Sequence, residues 1–363
     1  MNGHKKESIF KNRNALSPDY IPKVLPNRMK HVEKLGRQIQ KFLDGHTTHV
    51  LISGRPGTGK SATIRYVFRE MKENKKPLFS YVNCFNKTTK MGVLYSIVLD
   101  FFKEKRPTRK MPSRRGIAYD EMLDSLKKEL EKSSTKVVLC LDEVDQLREK
   151  DLIYDLLRIR WNSNCIQVIG ISNNPLVFKD LDPRTKSRLY PLKEIPFNPY
   201  SKNEMREIIQ ERTDEAFGEG NVDNEAINFL ADFTVRKKGD VRVARETLIR
   251  AAEYAGKSGQ NRLTLNHLKE KLKMTEHAKA ISVIRNISER EKFLLKMIPE
   301  KGITYPKFYK IFRELDGGIG DRMLRNYMER LHKLNLINME QTGVGGRQII
   351  SLNTPKEVLF GLS

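Results

Sequence analysis

The stretch GRPGTGKS, Gly54 to Ser61, fits the phosphate-loop pattern G-x-x-x-x-G-K-[ST] without a mismatch. Its chemistry rests on the backbone as much as on side chains. The glycines Gly54, Gly57 and Gly59 let the chain wrap so that backbone N–H groups face a polyphosphate, with Pro56, Thr58 and Ala62 completing the cradle. The helix that starts there adds the positive end of its dipole. Lys60 is placed to reach the β and γ phosphates, and Ser61 to ligate Mg²⁺. These residues predict a nucleoside-triphosphate site.

Hydrolysis needs a metal-holding acid and a group that orients water. VVLCLDEVD, residues 137–145, supplies both at the end of an apolar run. Asp142 suits Mg²⁺, held partly through water, and Glu143 suits a general base. Carboxylates directly after five apolar residues are costly unless they meet a cation.

Strands must carry these groups. THVLIS (48–53) runs into the loop, and a helical pattern follows to about Lys72. PLFSYVNC (77–84), KVVLCLDEVD (136–145), CIQVIGISNN (165–174) and RLYPLKEIPF, ending at residue 197, read as further strands, with helices expected over about 89–102 and 119–132. Apolar strands alternating with helices imply an α/β parallel sheet covered on both faces. From Ser201 to about Met274 the periodicity is helical only, with breaks expected at Gly218, Gly220, Gly239 and Gly256. From about Ala278, helices over 288–298, 304–315 and 321–334 precede two extended stretches around a glycine-rich turn, the order of a winged helix. The domains expected are thus 1–199 for nucleotide, 200–277 as an all-α lid, and 278–363 as a winged helix.

The net charge of +23 in 363 residues, with a pI near 9.8, points to a polyanionic partner. No apolar run approaches the roughly 20 residues of a membrane span, and the N-terminus lacks an apolar signal-peptide core. The three widely spaced cysteines have no metal-binding spacing and fit a reducing compartment. A cytoplasmic, nucleoid-associated location and no membrane partner are the expectations. The run KEKRPTRKMPSRRG (103–116) has seven basic side chains against one acid. By itself its composition favours a solvated linker over a phosphate-holding surface.

Taken in order, these motifs resemble the AAA+ origin-recognition initiators, particularly their single-chain archaeal form. Asn173, ending VIGISN, resembles the sensor-1 residue near the γ-phosphate, although Asn-Asn-Pro is also a good turn sequence. Arg188 in DPRTKSRLYPL resembles an arginine finger offered in trans, and Arg184 competes for that role. Arg242 in GDVR resembles sensor 2. The opening segment resembles the family's adenine pocket, implying base contacts from Tyr20, Ile21, Pro22 and Arg28. The chain departs from the family in having Asn173-Asn174 for Asn-Asp, and Asn27 where His is common.

The resemblance implies an ATP/ADP- and Mg²⁺-binding protein with weak ATPase activity that marks replication origins on double-stranded DNA. It implies paralogous initiators and the replicative helicase as further partners. A DNA-binding regulator switched by ATP without turnover, and an AAA+ protein-remodelling loader, are the alternatives. Against the loader, no aromatic–glycine pore element stands between the second and third strands.

In the C-terminal part, GIGDRMLRNYMERLHKLNLI places Met323, Leu324, Tyr327, Met328 and Leu331 on one expected apolar stripe. Arg322, Arg325 and Asn326 fall on the other faces, and both residue types can read base edges in a major groove. Arg347 lies at the tip of the expected wing. The resemblance also assigns the basic run to an initiator-specific insertion near 86–118, where Arg109, Lys110, Arg114 and Arg115 would contact DNA phosphates.

Overall fold

The computed structural model describes residues 9–72, 77–106, 108, 113, 115–160, 165–299, 301–315, 318–341 and 348–353. The chain divides into two compact units, Met1–Leu265 and Asn266–Ser363. The sequence pattern placed this division at 277/278.

In the first unit, the strands β1 (His49–Gly54), β2 (Leu78–Asn83), β3 (Val137–Asp142), β4 (Ile166–Ser172) and β5 (Leu192–Phe197) form one sheet in the order β2-β3-β4-β1-β5. Every neighbouring pair is parallel. The register sets Ser53 beside Ser172 and Leu141 beside Gly170, so the carboxyl ends of β1, β3 and β4 finish together. That edge is where open α/β sheets bind ligands.

The helices cover both faces. They are α1 (Met29–Leu43), α2 (Lys60–Lys72), α3 (Lys90–Lys105), α4 (Tyr119–Ser133), α5 (Asp151–Leu157) and α6 (Pro183–Leu189). Val138 and Cys140 pack with Leu35 and Ile39 of α1 and Ile64 and Val67 of α2. Val137, Leu139 and Leu141 pack on the other face, with Ile97 and Phe101 of α3, Leu126 of α4 and Leu156 of α5. Strand residues alternate between faces, so Asp142 emerges on the α2 side, after Val138 and Cys140. The five apolar residues before it are buried. At roughly 1.5–3 kcal/mol for each, they outweigh the few kcal/mol that a hydrogen-bonded buried carboxylate costs.

The basic run begins on the last turn of a helix that packs against this core. The helix α3 extends three residues beyond its expected end at Phe102, so Lys103 and Lys105 lie in its last turn, where cations suit the dipole. Phe101 beside them is fully buried. Arg106 pairs with Glu129 of α4 at 3.4 Å, and Arg115 is exposed. Arg109, Lys110 and Arg114 lie outside the described residues.

Beyond the sheet stand α7 (Lys202–Phe217), α8 (Asn224–Arg236) and α9 (Val241–Lys257). A capping box of Ser201 and Glu204 starts α7, and Asp240 caps α9 by accepting from the Arg242 N–H. The break expected at Gly256 falls one residue later, α9 ending at Lys257 with Ser258 as its C-cap. The three cysteines are free, and all are buried in or beside the sheet.

The second unit holds most of α10 (Leu265–Arg285), with α11 (Glu289–Met297), β6 (Ile303–Thr304), α12 (Tyr305–Leu315), α13 (Asp321–Lys333), β7 (Ile337–Gln341) and β8 (Gln348–Leu352). The strands form an antiparallel sheet in the order β6-β8-β7, of which the short β6 was not read from sequence. Leu294, Phe308, Phe312, Leu324, Met328 and Ile350 share its core. This is a winged-helix arrangement. Among the described residues no helix is long and apolar enough to cross a membrane.

Candidate functional site

The loop between β1 and α2 is held from three sides. Lys60 Nζ donates to Gly54 O at 2.7 Å, Arg55 O at 2.9 Å and Asn173 Oδ1 at 2.9 Å. The first two bonds curl the loop around its own lysine, and the third fastens it to the end of β4. Burial pulls the Lys60 ammonium below its usual range, with Arg242 adding to the shift and Asp142 opposing it. Three loop glycines leave no room for a Cβ, Gly54 because it abuts the Phe197 carbonyl oxygen. Gly57 and Gly59 have φ of +75° and +86°, and a Cβ would meet Asp240 Cα at 2.7 Å from Gly57 and Tyr200 Oη at 2.5 Å from Gly59.

A cavity of about 330 Å³ opens over this loop. Pro56 to Ala62 form its floor, and Asp142, Glu143 and Asn173 one polar edge. Leu16, Ile208, Ile209 and Leu248 supply apolar wall, while Arg212, Arg242 and Arg245 add cations from α7 and α9. An apolar wall beside a cationic floor suits a base linked to phosphates.

Asp142 is buried, and each of its carboxylate oxygens accepts one hydrogen bond. Its Oδ1 accepts from the Glu143 N–H at 2.9 Å, and its Oδ2 accepts from the Tyr81 phenol. Burial and the Asp142 charge push the Tyr81 phenol well above its usual range, so it stays a donor. Glu143 has φ +53°, a left-handed conformation that costs about 1–2 kcal/mol for a residue with a Cβ. Burial first, then Asp142 and Asp145, raise its carboxyl, against which Arg242 and Lys60 pull down.

Several expected site residues take other places. Of the Tyr20, Ile21, Pro22 and Arg28 set, only Tyr20 lines the cavity, and Ala15 to Pro18 form the rest of that wall. The Ile21 carbonyl accepts from Arg69 of α2 at 3.2 Å, and Pro22 is buried. Arg28 lies beneath the loop. It donates to Thr58 O at 3.0 Å and to Asn198 O at 2.9 Å, with its guanidinium 3.8 Å from the centre of the Tyr200 ring. It stiffens the loop and does not touch the cavity. Gly54 likewise acts through its carbonyl on Lys60. Arg242 lines the cavity, yet Asp240 grips it with bonds of 2.9, 3.0 and 2.6 Å. Arg188 stands away from this cavity, with its guanidinium over the Tyr154 ring at 5.2 Å, and Arg184 is exposed.

Sequence reasoning missed Arg212, Arg245, Tyr81 and Tyr200. Arg245 stands three residues after Arg242 in GDVRVAR and so shares its helix face, whereas the other three sit in no local motif. Asp240 was legible as a helix cap, the Asp before VRVAR.

In the second unit Arg322 and Asn326 are exposed on α13, as expected. Arg325 is exposed but committed, paired to Asp321 at 2.9 Å and lying 5.1 Å from the Tyr305 ring centre. Met323 does not join the buried stripe. It is 51% exposed, because Leu324, Met328 and Leu331 fill that face. Arg347 lies outside the described residues.

Residues 43–174 match the family model described as an AAA domain, and 206–271 match the Cdc6 AAA+ ATPase-type lid domain. The chain is 31% identical over 352 residues to the ORC1-type DNA replication protein 1 of Archaeoglobus fulgidus, covering 91% of this chain and 84% of that one. It is 32% identical over 362 residues to the ORC1-type DNA replication protein of Thermococcus onnurineus, covering 93% and 86%. The solved structure of the Aeropyrum pernix ORC1 protein in complex with DNA superposes with a TM-score of 0.64 at 26% identity, covering 98% of this chain and 97% of that one.

Proposed function

The chain belongs to the ORC1-type DNA replication proteins, the archaeal AAA+ origin-recognition initiators, and from that premise we propose that it is an ATP-regulated initiator that binds double-stranded origin DNA and helps recruit the replicative helicase. The observation that carries this reading is the cavity in which phosphate loop, acidic strand end and lid helices meet. The DNA arm is supported by the Aeropyrum pernix relative, solved in complex with DNA, and by the exposed Arg322 and Asn326 on α13.

Each residue then has a task. Lys60 balances the β and γ phosphates, the loop amides hold their oxygens, and Tyr20 with Leu16 and Leu248 receives the base. Ser61 and Asp142 offer a hydroxyl and a carboxylate to Mg²⁺. Hard oxygen donors suit that ion, which takes few protein ligands and completes its shell with phosphates and water. That sparse set fits the described residues, among which no three metal-ligating side chains gather. When bound, the ion neutralises charge developing on the phosphate oxygens. Glu143 takes a proton from water that Asn173 helps to orient, and Arg188 serves a neighbouring copy's nucleotide. Turnover is slow in this reading.

A second reading, DNA binding switched by ATP without turnover, is favoured by the grip of Asp240 on Arg242, which commits the lid arginine to its own helix. A nuclease footprint on genomic DNA with ATP and with ADP, run beside a phosphate-release assay, tests both. A nucleotide-dependent footprint with phosphate release supports the first reading, and the same footprint without release supports the second. No footprint removes both.

A further inference from the structure

Behind the carboxylate end of β3 lies a chain of contacts that the nucleotide reading does not use. Tyr81 projects from β2 on the α2 side of the sheet and packs against the cluster around Cys140 and Val67. Its phenol donates to Asp142 Oδ2, while Asp142 Oδ1 takes the Glu143 N–H. Both oxygens are thereby oriented by donors from this chain. The Arg65 guanidinium lies 4.4 Å from the centre of the Tyr81 ring. Arg65 stands four residues after Ser61 on α2, so the two share a helix face, Arg65 one turn below. Arg65 is fixed in turn by Asp19 at 2.8 Å, and Asp19 adjoins Tyr20, which lines the cavity.

Ser61 and Asp142 are the two donors assigned above to the metal, and Arg65 and Tyr81 lie directly behind them. Partners of metal-ligating carboxylates fix ligand orientation, and losing them typically costs about 10- to 100-fold in metal affinity or activity. We propose that Tyr81 is a positioning residue for the divalent cation: its phenol sets the Asp142 carboxylate in the orientation that a nucleotide-bound ion requires, and the Asp19–Arg65 pair holds the phenol in place. The opening segment is thereby coupled to the metal. The inference rests on the nucleotide reading of the cavity.

The test is binding of a fluorescent ATP analogue to the full chain, in EDTA and across a Mg²⁺ titration. Tyr81→Phe removes one hydroxyl and keeps the ring beneath Arg65. Its affinity in EDTA should equal that of the wild type, while half-saturation by Mg²⁺ should move up by about 10-fold. Asp19→Asn, at an exposed carboxylate, should shift half-saturation the same way by about 2- to 5-fold. An unchanged Mg²⁺ midpoint in Tyr81→Phe overturns the proposal, as does an equal loss of affinity with and without Mg²⁺, which marks a merely structural hydroxyl. If Tyr81→Phe fails to fold, Asp19→Asn decides, and an unmoved midpoint there overturns it. A wild-type chain that binds no analogue under either condition removes the nucleotide reading itself, a result distinct from an unmoved midpoint.

Discussion

Lys60 and Asn173 are joined by a 2.9 Å hydrogen bond from Nζ to Oδ1, which ties the phosphate loop to the carboxyl end of β4. The ammonium keeps two loop carbonyls as well, so it stays in place if the amide is lost. Asn173→Ala should therefore leave ATP affinity nearly unchanged while slowing hydrolysis by about 10²-fold, the usual cost of one preorganised polar group. Equal losses in affinity and turnover, measured by analogue binding and phosphate release, would count against a role near the attacking water.

Glu143 sits in a left-handed turn with its carboxyl raised by burial and by two neighbouring carboxylates. A base must be unprotonated to act. Because its titration is raised, phosphate release should fall on the acid side at a higher pH than an ordinary carboxylate would give. Glu143→Gln should retain ATP binding and abolish release. Persistent turnover in that variant would assign the base elsewhere.

His49 is buried at the start of β1, where its Nδ1 accepts from the Val168 N–H at 3.0 Å. Burial pulls its titration down to about 4. The folded state thus holds the neutral ring, whereas the unfolded chain takes a proton near pH 6.5. Stability from this group is complete above about pH 6.5 and is lost as pH falls towards 4, amounting to about 2 kcal/mol by pH 5. Urea midpoints at pH 7.5 and pH 5 should differ in that direction for the wild type. The difference should shrink in His49→Gln.

On α13 the two arginines should not behave alike. Arg325 is tied to Asp321 and Tyr305, whereas Arg322 projects freely into solvent beside Asn326. Arg322→Ala should cost about 1–3 kcal/mol on a specific duplex and little on random DNA. Arg325→Ala should reduce both modestly. Competition binding with the two duplexes separates these outcomes.

Neutralising Arg109, Lys110, Arg114 and Arg115 together should weaken binding to every duplex and flatten its salt dependence. An unaltered slope would leave that run as a solvated linker. Its first residues already have another use, since Lys103 and Lys105 finish α3 and Arg106 pairs with Glu129.

The sheet, the phosphate loop and the winged helix were legible because each has a local signal: apolar runs of strand length, fixed glycine spacing, helical stripes. Asp142 and Glu143 were legible for the same reason, as charges where an apolar strand stops. Arg28 was misplaced because a resemblance supplies neighbourhood without direction. Its guanidinium turns down to Thr58 and Tyr200, a choice set by residues from 30 to over 170 positions away. Tyr81 and Arg212 were invisible for a related reason. Their partners come from other strands and helices, and no spacing in the chain records that meeting. Met323 fell outside its stripe because three residues already fill the face that α13 buries.

The three sheltered thiols make this chain a convenient host for chemical probes. Cys84, Cys140 and Cys165 are all buried, so a maleimide should find no fast-reacting partner in the native protein. A cysteine introduced at exposed Arg322 would then carry a dye alone. In the unaltered chain, slow labelling would act as a clock for opening of the sheet, and ATP should slow that clock.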